Sequence, residues 1–307
     1  MPEWIRERGI GETRLALVDG HDIVEARVLL DDVIPAGRLI DARLMRSGRN
    51  GLARDAAGNE YLLPAGAGRI AEGAAVTIVV TRSAIPGAEP WKRPLAKVAT
   101  GADTDIASRD VRDGRLPASW NDLIEEARSG IVRFDGGELR LSPTPAMTLI
   151  DVDGTRTAED LSMDGARAAA QAIRRLDIGG SIGIDLPTTG SKSARQAAAV
   201  AIDEALPQPF ERTAVNGFGF VQIVRPRKRA SLLELAQDRA AFEARDLLRR
   251  TSSEAPGARR LVAHPVVVEL LERHPDWLAS LARLLGGEIG LRADAKLPMS
   301  GGYAEPF

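Results

Sequence analysis

The stretch "LIDVDGTRTAEDLSMDGARAAAQAIRRLDIGGSIGIDLP", Leu149 to Pro187, holds two short apolar runs, each with an aspartate at its end and a helical pattern between them. The helical pattern runs through "TAEDLSMDGARAAAQAIRRLD", and Gly179 and Gly180 stop it. Strand, helix, strand is a βαβ unit, whose strands lie parallel and bring their C-terminal ends to one edge of a sheet. Asp151 and Asp185 stand at those ends, 34 residues apart (185 − 151). Carboxylates held that close repel unless a cation neutralises them, and Mg²⁺ takes a few oxygen ligands plus water. The spacing therefore favours a metal site. A plainer role for each aspartate is to end its strand or cap the next helix, and this has most weight for Asp153, before "GTRTAED".

The run from Asp151 through Asp153, Gly154 and Thr155 also fits the nucleophile loop of a haloacid-dehalogenase-type phosphatase. That chemistry calls for a downstream lysine and a later acidic pair. Lys192 could supply the lysine, but no Gly-Asp-x-x-x-Asp-like segment follows, and "GIDLP" carries Asp where such an enzyme has Ser or Thr. The phosphatase is the minor alternative.

The totals suit this choice of chemistry. At 307 residues and 44% hydrophobic content the chain can fill about two domain cores. It has no cysteine, and His21, His264 and His274 lie far apart, so any metal is expected to be a hard cation held by carboxylates. No segment reaches the roughly 18 apolar residues of a membrane span, and the charged start "MPEWIRERG" is unlike a secretory leader, so the expected compartment is the cytoplasm. A net charge of −2 builds in no general attraction to a polyanion. Basic residues concentrate instead in "WKRP" and "VRPRKR", either of which could grip phosphate or serve as a solvated turn.

The chain divides by pattern. Residues 1–100 contain short apolar runs separated by Gly-rich or Asp-Gly turns, which predicts a small antiparallel barrel of OB type from about Thr13 to Val98. Residues 101–120 read as a polar linker. Residues 121–250 alternate helix and strand: a helix in "SWNDLIEEARSG", a hairpin turning on Asp135, Gly136 and Gly137, two buried strands "AMTLIDVD" and "SIGIDLP", and a long amphipathic helix in "SLLELAQDRAAFEARDLLRR". Residues 257–307 read strand, helix, helix, strand, a small C-terminal α/β unit. The predicted class is α/β in the α+β multidomain sense, a barrel followed by an α/β nuclease domain with a mixed sheet.

Several blocks resemble the ribonuclease E/G family. "LIDVDGTRT" resembles its first metal-binding strand, "RRLDIGGSIGIDLP" its helix, Gly-Gly turn and second metal-binding aspartate, and "NGFGFVQIVRPR" the strand that follows. "ETRLALVDGHDIVEARV" resembles the family's opening segment, "GRLIDARL", "YLLP" and "EGAAVTIVV" its RNA-binding barrel, and "LVAHPVVVELL" its C-terminal domain. The resemblance implies a Mg²⁺-dependent endoribonuclease of RNA processing or decay, with Mn²⁺ as an alternative ion, that cuts single-stranded RNA by metal-activated water and leaves a 5′-phosphate. Asp151 and Asp185 match the metal-binding aspartates; Asp153 replaces an Asn that orients them and would act as a third ligand. Arg225 and Arg227 match phosphate-holding positions, with Lys228 beside them, and Lys92 matches an RNA contact beside Arg93. Phe218 is expected in the core.

The chain also departs from the family. The interval from Lys97 to Asp151 is too short for the insertion that senses an RNA 5′-monophosphate, and without Cys-x-x-Cys no zinc-linked dimer forms. The number of subunits is left open. Barrel positions that display aromatic rings in the family hold Ala53 and Leu62, so Tyr61 and Trp91 are the candidates to replace them as RNA-stacking rings. These losses favour the alternative of an RNA-binding protein whose catalysis has lapsed.

Overall fold

A computed structural model describes residues 2–85, 92–100 and 111–306. Among these, three apolar cores form. The first strands, β1 (Glu3–Arg8), β2 (Glu12–Asp19) and β3 (Asp22–Leu30), form an antiparallel meander. Then β4 (Leu39–Arg46), β5 (Gly51–Asp55), β6 (Glu60–Leu63), β7 (Ala75–Arg82) and β8 (Leu95–Val98) close a barrel in the order β4-β5-β6-β8-β7. This is the expected OB-like barrel, with Leu44, Tyr61, Leu63, Ile78 and Val80 inside it.

The barrel is smaller than the sequence pattern suggested. Residues 13–30 lie outside it, in a sheet of order β3-β2-β1-β9, whose short member β9 (Arg112–Asp113) runs parallel to β1. Alternation marks a residue as strand but does not say which sheet the strand joins. Ile5, Ala16, Ile23 and Ala26 from this meander enter the core of the α/β portion.

Helix α1 (Ser119–Ser129) ends at Gly130, whose φ of 70° suits the left-handed cap. Then come β10 (Ile131–Phe134), β11 (Gly137–Pro143), β12 (Thr148–Gly154), α2 (Ala158–Arg175), β13 (Gly180–Asp185), α3 (Lys192–Ala205), β14 (Glu211–Arg212) and β15 (Phe220–Arg225). The six strands order as β10-β11-β12-β13-β15-β14, with β12 and β13 parallel and the other neighbours antiparallel. Thr157 and Ser191 cap α2 and α3 with their side chains. Helix α2 lies close on β12: a Cβ on Gly165 would fall 2.3 Å from Val152 Cγ1. Arg175 ties α2 to Glu126 of α1 at 2.7 Å, and Arg174 reaches Glu25 of β3 at 3.6 Å.

The expected long helix is two helices. α4 (Leu232–Gln237) and α5 (Arg239–Thr251) break at Asp238, whose carboxylate accepts from Ala241 N and caps α5. Their apolar faces serve different cores: Leu232, Leu233, Leu235 and Ala236 face the α/β core, whereas Ala244, Leu247 and Leu248 face the C-terminal one. The C-terminal core is completed by β16 (Arg259–Ala263), α6 (Pro265–Glu272), α7 (Pro275–Leu285), β17 (Ile289–Ala293) and β18 (Tyr303–Pro306), in sheet order β17-β16-β18.

Candidate active site

Along β12 burial alternates: Thr148, Ile150 and Val152 are buried, while Leu149, Asp151 and Asp153 are exposed. Ile150 and Val152 of the inward set enter the core that α2 lines. The outward set lies on a face that no helix among the described residues covers, so β12 and β13 are not strands buried on both sides, as their apolar runs suggested.

In the parallel register Asp151 is the direct neighbour of Asp185. Adjacent strands are about 4.8 Å apart, so the two carboxylates rise side by side from one rim, and both are exposed. A second contact confirms the face. A Cβ on Gly183 would fall 2.6 Å from Phe220 Cζ and 3.1 Å from Leu149 Cδ2. Phe220 and Leu149 therefore cover Gly183, two residues before Asp185, and Phe220 itself pairs with Asp185 on β15.

Neither Asp151 nor Asp185 makes a side-chain hydrogen bond or ion pair among the described residues, and the same holds for Asp153. Arg140, directly across β11 from Asp151, is turned toward Glu138 at 2.8 Å. The structure brings two of the three predicted ligands together. Asp153 shares their face about 6.6 Å further along the strand, where β13 has already ended, and its cross-strand neighbour is Glu138. Among the described residues no group of three or more His, Asp or Glu side chains is arranged to hold a metal ion. The donor set is therefore a pair of carboxylates open to water. That composition fits Mg²⁺, which keeps several waters and often takes only one or two carboxylates from a protein.

The predicted phosphate grip is placed elsewhere. Because β15 runs antiparallel to β13, Phe220 meets Asp185 while Arg225 meets Gly180 at the other end. Arg225 donates to Ile178 O at 3.1 Å, and burial pulls its guanidinium below the ordinary value against the opposing pull of Asp177 and Glu25. Arg227 pairs with Glu234, and Arg229 with Asp177 at 2.5 Å. These arginines fasten the turn to the body of the protein, and Lys228 is the exposed cation among them.

Tyr61 is also corrected. It is fully buried in the barrel, its hydroxyl donates to Asp55 at 2.9 Å, and burial together with that carboxylate pushes its ionisation up. Its neighbour across the strands, Ala53, points inward too, so neither displays a ring to solvent. Arg93 is exposed on the barrel beside Glu60 at 3.2 Å, Lys92 precedes it, and Trp91 lies outside the described residues. Phe218, expected in the core, is 81% exposed. Its turn lies next to Asp185: Gly219 O accepts from Leu186 N. A concavity of about 670 Å³ lined by residues 8–11, Asp31, Asp32 and α7 contains none of Asp151, Asp153 and Asp185.

No family model matches the chain. Ribonuclease G of Escherichia coli (strain K12) is 30% identical over 109 residues, covering 32% of this chain and 22% of the relative. The chain is similar to ribonuclease G. The ribonuclease G of Shigella flexneri matches to the same extent, and that of Salmonella typhimurium (strain SL1344) is 29% identical over 109 residues. The match spans about a fifth of the length of these ribonuclease G chains. It supports the relationship to the ribonuclease E/G family drawn from the aspartate blocks.

Proposed function

We propose that the chain is a divalent-cation-dependent endoribonuclease acting on single-stranded RNA, with Asp151 and Asp185 holding the ion. The observation that carries this reading is the register pairing of two exposed carboxylates, neither neutralised by a protein cation, in a chain similar to ribonuclease G. Bound there, Mg²⁺ or Mn²⁺ supplies charge neutralisation at the phosphodiester and lowers the pKa of water for the attack. The aspartates set the position of that charge, and their rigidity comes from the layer beneath. Ile150, Val152, Ile182 and Ile184 are buried in the core they share with α2 and α3. Asp153 adds negative potential on the same face.

A chain that only binds RNA is the second reading. It is favoured by the lack of a three-ligand group among the described residues and by Asp153 in place of the family's Asn. Incubating the full chain with end-labelled single-stranded RNA separates the two. An enzyme cuts with Mg²⁺, stops with chelator, leaves 5′-phosphate ends, and loses about 10²-fold or more in rate in Asp185→Asn while still binding RNA. RNA binding without cutting by the wild-type chain under these conditions selects the second reading. Hydrolysis of a small phosphomonoester with RNA left intact would revive the phosphatase.

A further inference from the structure

Phe218 is the most exposed large apolar side chain among the described residues, at 81%. It sits at the tip of the turn that delivers β15 to Asp185, and that turn is rigid. Asn216 Oδ1 accepts from Phe218 N at 2.9 Å and from Phe220 N at 3.0 Å, while Asn216 N donates to Phe220 O at 3.0 Å. Thr188 Oγ1 donates to Phe218 O at 2.9 Å, and Leu186 N to Gly219 O at 3.3 Å, so the turn is tied to the segment leaving β13. Gly219, at φ 93°, passes so close that a Cβ would fall 2.1 Å from Leu186 O. The backbone is held on both sides and the ring projects into water.

We propose that Phe218 is a base-stacking residue: its ring receives a nucleobase next to the phosphodiester held at Asp151 and Asp185. This rests on the endoribonuclease reading and names how that site takes hold of its strand. Every nucleobase has a face that stacks on an aromatic ring, so a fixed exposed ring suits a strand of any sequence. A protein interface fits this surface less well. Its centre would have to seal two neighbouring aspartates with which no described protein cation forms an ion pair, Arg140 being turned to Glu138, and interface cores are depleted of charge. A base stacked at the rim leaves those carboxylates open to water and ions. The barrel offers no substitute at Ala53 or Tyr61, both of which are buried.

The test compares wild type, Phe218→Ala, Phe218→Leu and Phe218→Trp on a labelled single-stranded RNA, reading kcat and KM for cleavage and Kd by anisotropy in parallel. Phe218→Ala and Phe218→Leu should raise KM and Kd by about 5- to 100-fold, more than they lower kcat, and Phe218→Trp should restore both. Replacing the stacked nucleotide by an abasic one should weaken wild type by the same factor and Phe218→Ala no further. RNA cleavage with wild-type KM in Phe218→Ala, or Leu acting as well as Trp, overturns the proposal and leaves the nuclease reading standing. RNA binding without cleavage removes the nuclease reading, and the Kd series then decides the ring's role. A chain that neither cuts nor binds RNA overturns both. Loss of self-association in Phe218→Ala with unchanged KM and Kd assigns the ring to a protein interface and also overturns it.

Discussion

Gly183 lies on β13 between the strand's start and Asp185, and its missing side chain is what lets Phe220 and Leu149 meet above the sheet. A valine there must displace the Phe220 ring. Gly183→Val should cost about 1–3 kcal/mol of stability by urea unfolding, the usual penalty of overpacking. The aspartates were legible from spacing because a strand–helix–strand unit is local: its length alone brings Asp151 and Asp185 to one rim. Phe218 was not. An aromatic in an apolar run is read as core by default, and only the folded turn, its backbone held by Asn216 and Thr188, leaves the ring 81% exposed. Tyr61 failed in the opposite sense: within a period-2 strand one step of parity decides inside or outside, and no local feature of "YLLP" fixed it.

At the level of elements, α1 and α5 are joined by buried charge. Arg128, near the C-terminal end of α1, donates to Glu243 at 2.8 and 2.9 Å and to Asp246 at 3.3 Å, and Glu243 is 2% exposed. Burial would lower the Arg128 guanidinium, but Glu243, Glu125 and Asp246 outweigh it and raise it. Arg128→Ala should therefore cost about 3–5 kcal/mol, because it leaves carboxylates buried with fewer partners; a double variant with Glu243→Gln should cost less than the sum of the two. Helix existence was legible from periodicity and caps, as in α1 and α2. The break at Asp238 was not, because one amphipathic pattern ran through two helices that serve separate cores. The position of the basic turn of residues 225–229 relative to the acids was not legible, for a related reason. Whether a strand returns parallel or antiparallel is settled by sheet order, a long-range property, and the antiparallel return of β15 carries Arg225 away from the acids.

Across the whole molecule, Glu7 of β1 is a junction. It accepts from Leu116 N at 2.9 Å, from Arg14 of β2 at 3.1 Å and from Arg249 of α5 at 3.0 Å. Burial pushes its carboxyl up, but the Leu116 amide, Arg249 and Arg14 together hold it below the ordinary glutamate value. The sign follows from linkage: a carboxylate bound more tightly in its charged form contributes stability above its unfolded pKa and loses it as the pH falls through the lower folded one. Acid unfolding should thus weaken the wild type on that limb, and Glu7→Gln should flatten the dependence of the urea midpoint on pH there. Asp31, raised by burial and then by Glu12 and Asp32, works in the opposite direction and partly offsets it. The class of the fold and the barrel were legible because both are written in short-range alternation. The membership of β1 to β3 in their own sheet was not, since it depends on which apolar face the α/β core accepts.

The joint between barrel and α/β layer lies in an unexpected place. Ser83 N, just past the last barrel-forming residues of β7, donates to Lys228 O at 2.9 Å, beyond the Arg225 end of β15. From there to Asp185 is the whole of β13, about 17 Å at the rise of a strand. A pull on the barrel would enter the sheet at that remote anchor, beside the arginine-stapled turn. The paired acids lie at the opposite rim, a full strand length from the point where the load arrives.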